Sequence, residues 1–91
     1  MTLRIVEEIE GPAPRIALHG WLSAAEVVEL ERAAAAAGRP PRIELGQLAG
    51  LDAAGARALR AQRERGALLT GATPYVALLI ERASAAGGSA R

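Results

Sequence analysis

The apolar residues near the start of the chain lie in two short segments typical of strands, and those that follow have a helical spacing. Residues 3–10 predict a strand of mixed quality and residues 15–19 a second, short strand, and a segment rich in Gly and Pro separates them. Further on, Val27, Leu30 and Ala34 recur at i, i+3 and i+7, which places them on one face of a helix. The opening of the chain therefore predicts a two-stranded hairpin followed by an amphipathic helix.

The ends of this first helix carry residues that typically cap helices. Ser23 and Glu26 have the spacing of a capping box, in which two side chains satisfy free backbone N–H groups at the helix start. Gly38 favours the left-handed conformation that ends a helix, and the two prolines that follow cannot continue it. The helix is therefore predicted to run from Ser23 to about Ala37.

Strands and helices alternate through the rest of the chain. The expected elements are a strand at residues 42–45, a loop at 46–51, a helix at 53–65, a strand at 67–70 and a third helix that begins at Thr73-Pro74. This β-β-α-β-α-β-α order predicts an α/β fold: a mostly parallel four-stranded sheet with one antiparallel N-terminal strand, and three helices. Residues 1–83 are expected to form the domain and residues 84–91 a flexible C-terminal tail.

The composition narrows the class of protein. The length of 91 residues suits one domain, and 51% apolar with 23% charged residues suits a globular one. The absence of Cys excludes a disulfide framework and a cysteine-based metal or catalytic site. A net charge of +1 gives no basic surplus for binding nucleic acid. All 11 basic residues are Arg and Ala is the commonest residue, a bias that is typical of a GC-rich, and hence bacterial, genome.

Neither a membrane span nor a secretory signal is expected. No uncharged stretch reaches the roughly 18–20 residues of a spanning helix, and the N-terminus lacks the apolar region of a signal peptide. We therefore expect a cytoplasmic protein without a transmembrane segment.

The segment from Ile43 to Gly55, IELGQLAGLDAAG, resembles the signature of STAS domains, the fold of bacterial anti-sigma factor antagonists. That signature is an apolar strand with an acidic residue or Asn, a Leu in the following loop, and Asp-Ser-Ser/Thr-Gly at a helix start. Residues 19–23, HGWLS, resemble the family's Leu-x-Gly-x-Leu-Asp turn, and residues 73–76, TPYV, resemble its Ser-Pro-x-Val helix start. The resemblance extends over residues 3–81. The positions in register in the main motif are Glu44, Leu48, Leu51, Asp52 and Gly55.

The chain departs from the family pattern at the phosphorylated position. Switchable members carry a Ser or Thr after the Asp, which a partner kinase phosphorylates, whereas this chain has Ala53 and then Ala54. Neither has a hydroxyl, so no phosphorylation is expected there. Ser23 stands where the family usually has an acidic residue, the second helix is about one turn shorter, and the family's last strand and C-terminal helix are missing or reduced.

The resemblance implies a non-catalytic protein–protein interaction module in signalling or transcription regulation. Its partner would be an anti-sigma factor or a switch kinase, and docking would use residues 20–23, residues 51–55 and the start of the second helix. The candidate partner-binding residues are Trp21, Ser23, Asp52, Ala53, Ala54, Gly55 and Arg57. One alternative is a small STAS subunit that sits on the ATPase of a phospholipid-transport ABC complex. Another is a domain that binds a nucleotide or other small ligand through Arg57, Arg60 and Arg63.

Each of these residues also has a purely structural interpretation. Asp52, the only Asp, suits a helix N-cap, and Gly55 in the first helical turn indicates either close packing or the close approach of a partner. Trp21 is either an interface anchor or half-buried against the helix end. The three arginines suit a solvated helix face with Glu64.

The sequence predicts no catalytic activity, no metal site and no bound cofactor. The chain has one His, His19, one Asp and no Cys, and no spacing argues for a triad of Ser23, His19 and Asp52. It also has no Lys, which excludes a P-loop.

Overall fold

The computed structural model of the protein describes residues 3–8 and 12–89, and the side chains among them up to residue 83. Seven elements follow one another along the chain. They are β1 (Leu3–Glu8), β2 (Arg15–Leu22), α1 (Val27–Ala36), β3 (Arg42–Leu51), α2 (Ala53–Glu64), β4 (Leu68–Thr70) and α3 (Pro74–Ser89). A single turn of 3-10 helix, Ala24–Glu26, leads into α1. The predicted end of the first strand, residues 9–10, lies outside the described part of the chain.

The four strands form one sheet in the order β1-β2-β3-β4. The β1 strand is antiparallel to β2, whereas β2, β3 and β4 run parallel to one another. Helices connect the parallel strands, as such crossovers require. The predicted α/β class, with a mixed four-stranded sheet and three helices, is confirmed.

The loop predicted at residues 46–51 is wrong, because β3 continues through it to Leu51. Its buried Ile and Leu side chains are spaced by two positions and then by three, which breaks the alternation of a regular strand; they are Ile43, Leu45, Leu48 and Leu51. The pairing with β2 shifts register twice over this stretch, as β-bulges produce. Each shift accommodates one extra residue, so Leu48 and Leu51 still point into the core.

Strand β2 is likewise longer than expected. The sequence predicts its end at His19, but β2 continues through Gly20 and Trp21 to Leu22. Gly20 has φ +105°, a conformation that favours glycine, and the second register shift follows directly after it. The predicted turn at residues 20–23 is therefore mostly strand.

All three helices pack on one face of the sheet. The buried strand residues Ile16, Leu18, Ile43 and Leu45 contact one core cluster, to which the helices add a further set of apolar side chains. The helical members are Leu30, Ala33, Ala56, Ala58, Leu59, Val76 and Ile80. Among the described residues, no helix covers the other face.

The uncovered face carries a row of charges across three strands. On β2, Arg15 Nη2 lies 2.7 Å from Glu8 Oε1 of β1, and Arg15 Nε lies 3.4 Å from Glu44 Oε2 of β3. Parallel sheets are usually covered on both faces, whereas antiparallel ones commonly leave one face to water. The polar ladder makes this mixed sheet compatible with a solvated face.

The helix ends follow the capping residues. Gly38 after α1 has φ +76°, and Thr73 Oγ1 accepts a hydrogen bond of 3.2 Å from the Val76 N–H at the start of α3. The α3 helix continues from residue 84 to Ser89, where the sequence predicts a tail, and residues 90–91 lie outside the described residues. Of the helices that the structure describes, none is long and apolar enough to cross a membrane.

Candidate functional site

The Asp52 carboxylate joins the starts of two helices. Its Oδ1 accepts a hydrogen bond of 2.8 Å from the Gly55 N–H, which makes Asp52 the N-cap of α2. Its Oδ2 accepts a second bond of 3.0 Å from the Ala24 N–H, in the 3-10 turn before α1. The predicted cap is confirmed, and one side chain also ties the segment after β2 to the segment after β3.

These hydrogen bonds lower the pKa of Asp52. The Gly55 N–H makes the largest contribution and the Ala24 N–H the next, because both donate to the charged form of the carboxyl. The guanidinium of Arg57 adds a smaller effect in the same direction. Asp52 is therefore a fixed negative charge at neutral pH, although its side chain is exposed.

The predicted capping box is present beside this bridge. The Ser23 N–H donates to Glu26 Oε1 at 3.1 Å, and the Ser23 hydroxyl donates to the same carboxylate oxygen. Both bonds lower the pKa of Glu26, the one from the hydroxyl more strongly. The Ser23 hydroxyl is thus engaged within its own turn.

Gly55 lies where α2 touches β2. A Cβ at this position would stand 2.5 Å from the Leu22 carbonyl oxygen and 3.0 Å from Leu22 Cγ. The Asp52 N–H also donates to that carbonyl, at 3.1 Å. Of the two interpretations of this glycine, the structure supports close packing within the chain.

Ala53 and Ala54 occupy the first turn of α2, directly after the bridge. The Ala53 side chain is exposed and that of Ala54 is half-buried. The position that the STAS resemblance assigns to a phosphorylated hydroxyl is therefore an accessible methyl group.

Trp21 lies elsewhere than the sequence suggests. It is in β2, paired with Gly50 of β3, and alternation places its side chain on the uncovered face of the sheet, the face of Ala17 and His19. A Cβ on Gly50 would stand 2.3 Å from the indole ring, so the ring lies across that glycine. Trp21 is half-buried, as one interpretation expected, but against β3 and not against a helix end. The bridge and the indole are on different faces of the sheet.

The arginines of α2 divide into two groups. Arg60 and Arg63 lie 3.7 and 3.2 Å from Glu81 of α3, and Arg60 also lies 3.3 Å from Glu64. Arg57 forms no ion pair with any carboxylate that the structure describes. The predicted helix face that carries these arginines with Glu64 is present, and the structure adds ion pairs to Glu81, which the sequence does not indicate because it does not show which distant helix lies alongside.

The structure does not bring Ser23, His19 and Asp52 into a hydrogen-bonded chain. Within residues 3–8 and 12–89, Ser23 donates to Glu26, Asp52 accepts from backbone N–H groups, and no hydrogen bond joins either side chain to His19. The same residues contain no cluster of three or more His, Cys, Asp or Glu that could hold a metal.

No protein-family model matches this chain, and a search of curated proteins finds no significant match.

Proposed function

We propose that this chain is a non-catalytic protein-docking module of the STAS type. Its docking surface comprises Ser23 and Ala24, which follow β2, residues 52–54, and the exposed start of α2. One observation carries the proposal: the Asp52 carboxylate bonds to the Ala24 N–H at 3.0 Å and to the Gly55 N–H at 2.8 Å. Two segments that come from different strands are thereby held as one surface before any partner arrives, which lowers the ordering cost of binding.

The position of this surface supports the proposal. It lies at the carboxyl ends of the parallel strands β2 and β3, the edge at which open α/β sheets usually bind their ligands. Asp52 of the STAS-like motif belongs to it, as does Ser23 of the upstream motif, while the buried Gly55 holds the Asp52 carboxylate through its N–H. The exposed methyl group of Ala53 gives the surface no acceptor for phosphate at that residue. Docking would therefore be constitutive with respect to phosphorylation there.

The partner that the resemblance suggests is an anti-sigma factor or a switch kinase. The alternative is the ATPase of a phospholipid-transport ABC complex. Mass-spectrometric identification of proteins that co-purify with the tagged chain from its native host separates these classes.

The proposal is tested with Ala53→Glu and a matched variant, Ala35→Glu. A carboxylate in the first turn of α2 suits the helix dipole, so Ala53→Glu should fold normally. A new charge in the docking surface should weaken binding of the identified partner by about tenfold or more. Ala35 is exposed on α1 outside this surface, so Ala35→Glu should bind as the parent chain does. Equal affinities of the two folded variants, measured by calorimetry, would contradict the proposal.

Trp21→Ala decides how far the docking surface extends. Trp is a frequent interface anchor, and loss of a true anchor costs about 2 kcal/mol or more. If the partner also contacts the uncovered face, the variant should bind about 30-fold more weakly or worse. If a folded Trp21→Ala chain binds unchanged, the indole has only its packing role over Gly50.

A further inference from the structure

A recess of about 220 Å³ opens between the start of α2 and α3. Its apolar lining comes from the end of β3 and from both helices, with Leu51, Ala56 and Leu79 among the contributors. Asp52, Arg57 and Arg82 also line it. The recess is thus an apolar depression bordered by two positive charges and one negative charge.

The two arginines are available for a partner. Arg15, Arg32, Arg60 and Arg63 each lie within ion-pair distance of a glutamate, whereas Arg57 and Arg82 form no ion pair within the part of the chain that is described. The Asp52 carboxylate already accepts two backbone N–H groups. Among the residues that line it, two arginines face one carboxylate, that of Asp52, so the recess has a surplus of one positive charge.

Exposed apolar side chains continue from the recess along α3. Leu78 is 52% exposed and Tyr75 is 55% exposed, although both are large. Leu78 precedes Arg82 by four residues and Tyr75 precedes Leu78 by three, so the three side chains are neighbours on the helix surface. The positive recess is therefore continuous with an apolar stripe.

The size of the recess decides between two kinds of occupant. Pockets that enclose a small ligand typically measure about 300–1,000 Å³. At about 220 Å³, this half-open recess suits one or two anchoring side chains of a protein partner better than an enclosed molecule.

We propose that the recess receives an apolar side chain from an acidic amphipathic helix of the partner protein, whose carboxylates pair with Arg57 and Arg82. This inference rests on the proposed docking function and adds the chemistry of the partner. The apolar stripe of Tyr75 and Leu78 extends the contact along α3. A basic helix would meet two arginines against the single carboxylate of Asp52, so its binding would be disfavoured.

The test uses two helical peptides and the full chain labelled with ¹⁵N. One peptide carries leucines at i, i+4 flanked by glutamates, and the other has lysine in place of every glutamate. We expect the glutamate peptide to shift the amide resonances of residues 51–57 and 79–83, and to bind more than about tenfold tighter than the lysine peptide. Shifts confined to other regions, or equal binding of the two peptides, would overturn the proposal.

Charge reversal on the protein supplies the matched control. Arg57→Glu with Arg82→Glu should make the chain prefer the lysine peptide. Arg4→Glu with Arg65→Glu changes the net charge equally at two exposed residues that do not line the recess, and should keep the preference for the glutamate peptide. If the reversed chain does not fold, Arg57→Gln with Arg82→Gln should abolish the preference instead. An unchanged preference in either recess variant would show that these arginines do not select the partner.

Two other occupants appear as distinct outcomes. Octanoate that shifts the same amides while the glutamate peptide shifts none would make the recess a small-molecule site. Resonances of residues 79–83 that move on dilution of the protein alone would make the occupant a second copy of this chain. Either result would overturn the proposal.

Failure of this inference can be told apart from failure of the docking function. If Ala53→Glu weakens binding of the native partner while both Arg57/Arg82 variants bind it normally, the docking function is supported and the proposal of an acidic partner helix is wrong. If Ala53→Glu binds the native partner normally, the proposed docking surface is wrong, irrespective of the result with the peptides.

Discussion

At the scale of single residues, the approach of α2 to β2 depends on the missing side chain of Gly55. Glycine ordinarily weakens a helix by about 1 kcal/mol relative to alanine. Here the added methyl group would stand 2.5 Å from the Leu22 carbonyl oxygen, a backbone atom that cannot move away alone. The local preference of the helix and the packing of the fold therefore oppose each other at this residue.

Gly55→Ala should accordingly destabilise the protein, against the usual direction of this substitution in a helix. Overpacking of a well-packed contact costs about 1–3 kcal/mol, which offsets the gain in helix propensity. We expect a net loss of about 1 kcal/mol or more in urea unfolding followed by circular dichroism. Gly46→Ala, where the nearest atom would be 3.8 Å away, should leave stability nearly unchanged. A stabilised Gly55→Ala variant would contradict the close contact.

Asp52 makes stability depend on pH. Its pKa in the folded chain lies below the ordinary value of 3.8, because it accepts hydrogen bonds from the Gly55 and Ala24 N–H groups. The stability that it contributes is therefore complete above that ordinary value and is lost as the pH falls through the lower folded pKa. Asp52→Asn keeps one side-chain acceptor but does not titrate.

The free energy of unfolding of the parent chain should therefore exceed that of Asp52→Asn at neutral pH, and the difference should shrink in acid. Urea titrations of both proteins at neutral pH and well below the ordinary pKa measure this difference. Glu26, whose pKa is also lowered, titrates in both proteins and cancels in the comparison. A difference that stays constant with pH would show that the charge of Asp52 does not stabilise the bridge.

At the scale of elements, α2 and α3 meet through a buried apolar contact and an exposed ionic one. Leu59 of α2 and Val76 of α3 are fully buried in the shared core. Glu81 of α3 pairs with Arg60 and Arg63 of α2 while its own side chain remains 61% exposed. The apolar contact should dominate, because water screens exposed ion pairs and the removal of a buried side chain leaves a cavity.

Leu59→Ala and Glu81→Gln compare the two interactions directly. We expect Leu59→Ala to lower the free energy of unfolding by about 2–5 kcal/mol. Glu81→Gln should cost about 0.2–1 kcal/mol, and that cost should diminish as salt is added. Urea unfolding at low and high ionic strength measures both effects. A loss from Glu81→Gln as large as that from Leu59→Ala would mean that the ion pairs align the two helices.

At the scale of the whole molecule, the chain forms two layers, and one face of its sheet has no helix on it among the described residues. In strand β4, two adjacent residues show the difference in burial between the two faces of the sheet. Leu68 is 56% exposed on the uncovered side, whereas Leu69 packs partly buried against the core. Two leucines in one short strand thus contribute very differently to folding.

Leu68→Thr and Leu69→Thr test this arrangement. Threonine suits a strand, so Leu68→Thr should change stability by no more than about 0.5 kcal/mol. Leu69→Thr removes buried apolar surface and should cost about 1 kcal/mol or more. Thermal unfolding of the purified protein compares them. Equal losses of stability from the two substitutions would mean that Leu68 is also buried and that the second face of the sheet is covered.

The sequence by itself determines the order of the elements, the fold class and several helix caps. Ser23, Asp52 and Thr73 act over three residues, and such local hydrogen bonds depend on little beyond spacing. The alternation of strands with helices likewise restricts the sheet to a mostly parallel arrangement, because parallel strands need long crossovers.

Only the tertiary structure decides how the segments of the candidate site meet. The full length of β3 cannot be predicted from alternation, because its two bulges each insert an extra residue. Leu48 and Leu51 face the core only in the shifted pairing with β2. The bond from the Ala24 N–H to Asp52 and the contact of Gly55 with Leu22 each join residues that are distant in sequence. The register of β2 against β3 places the Trp21 side chain on the face without helices. Spacing along the chain carries no information on such contacts, because they form only when separate elements pack together.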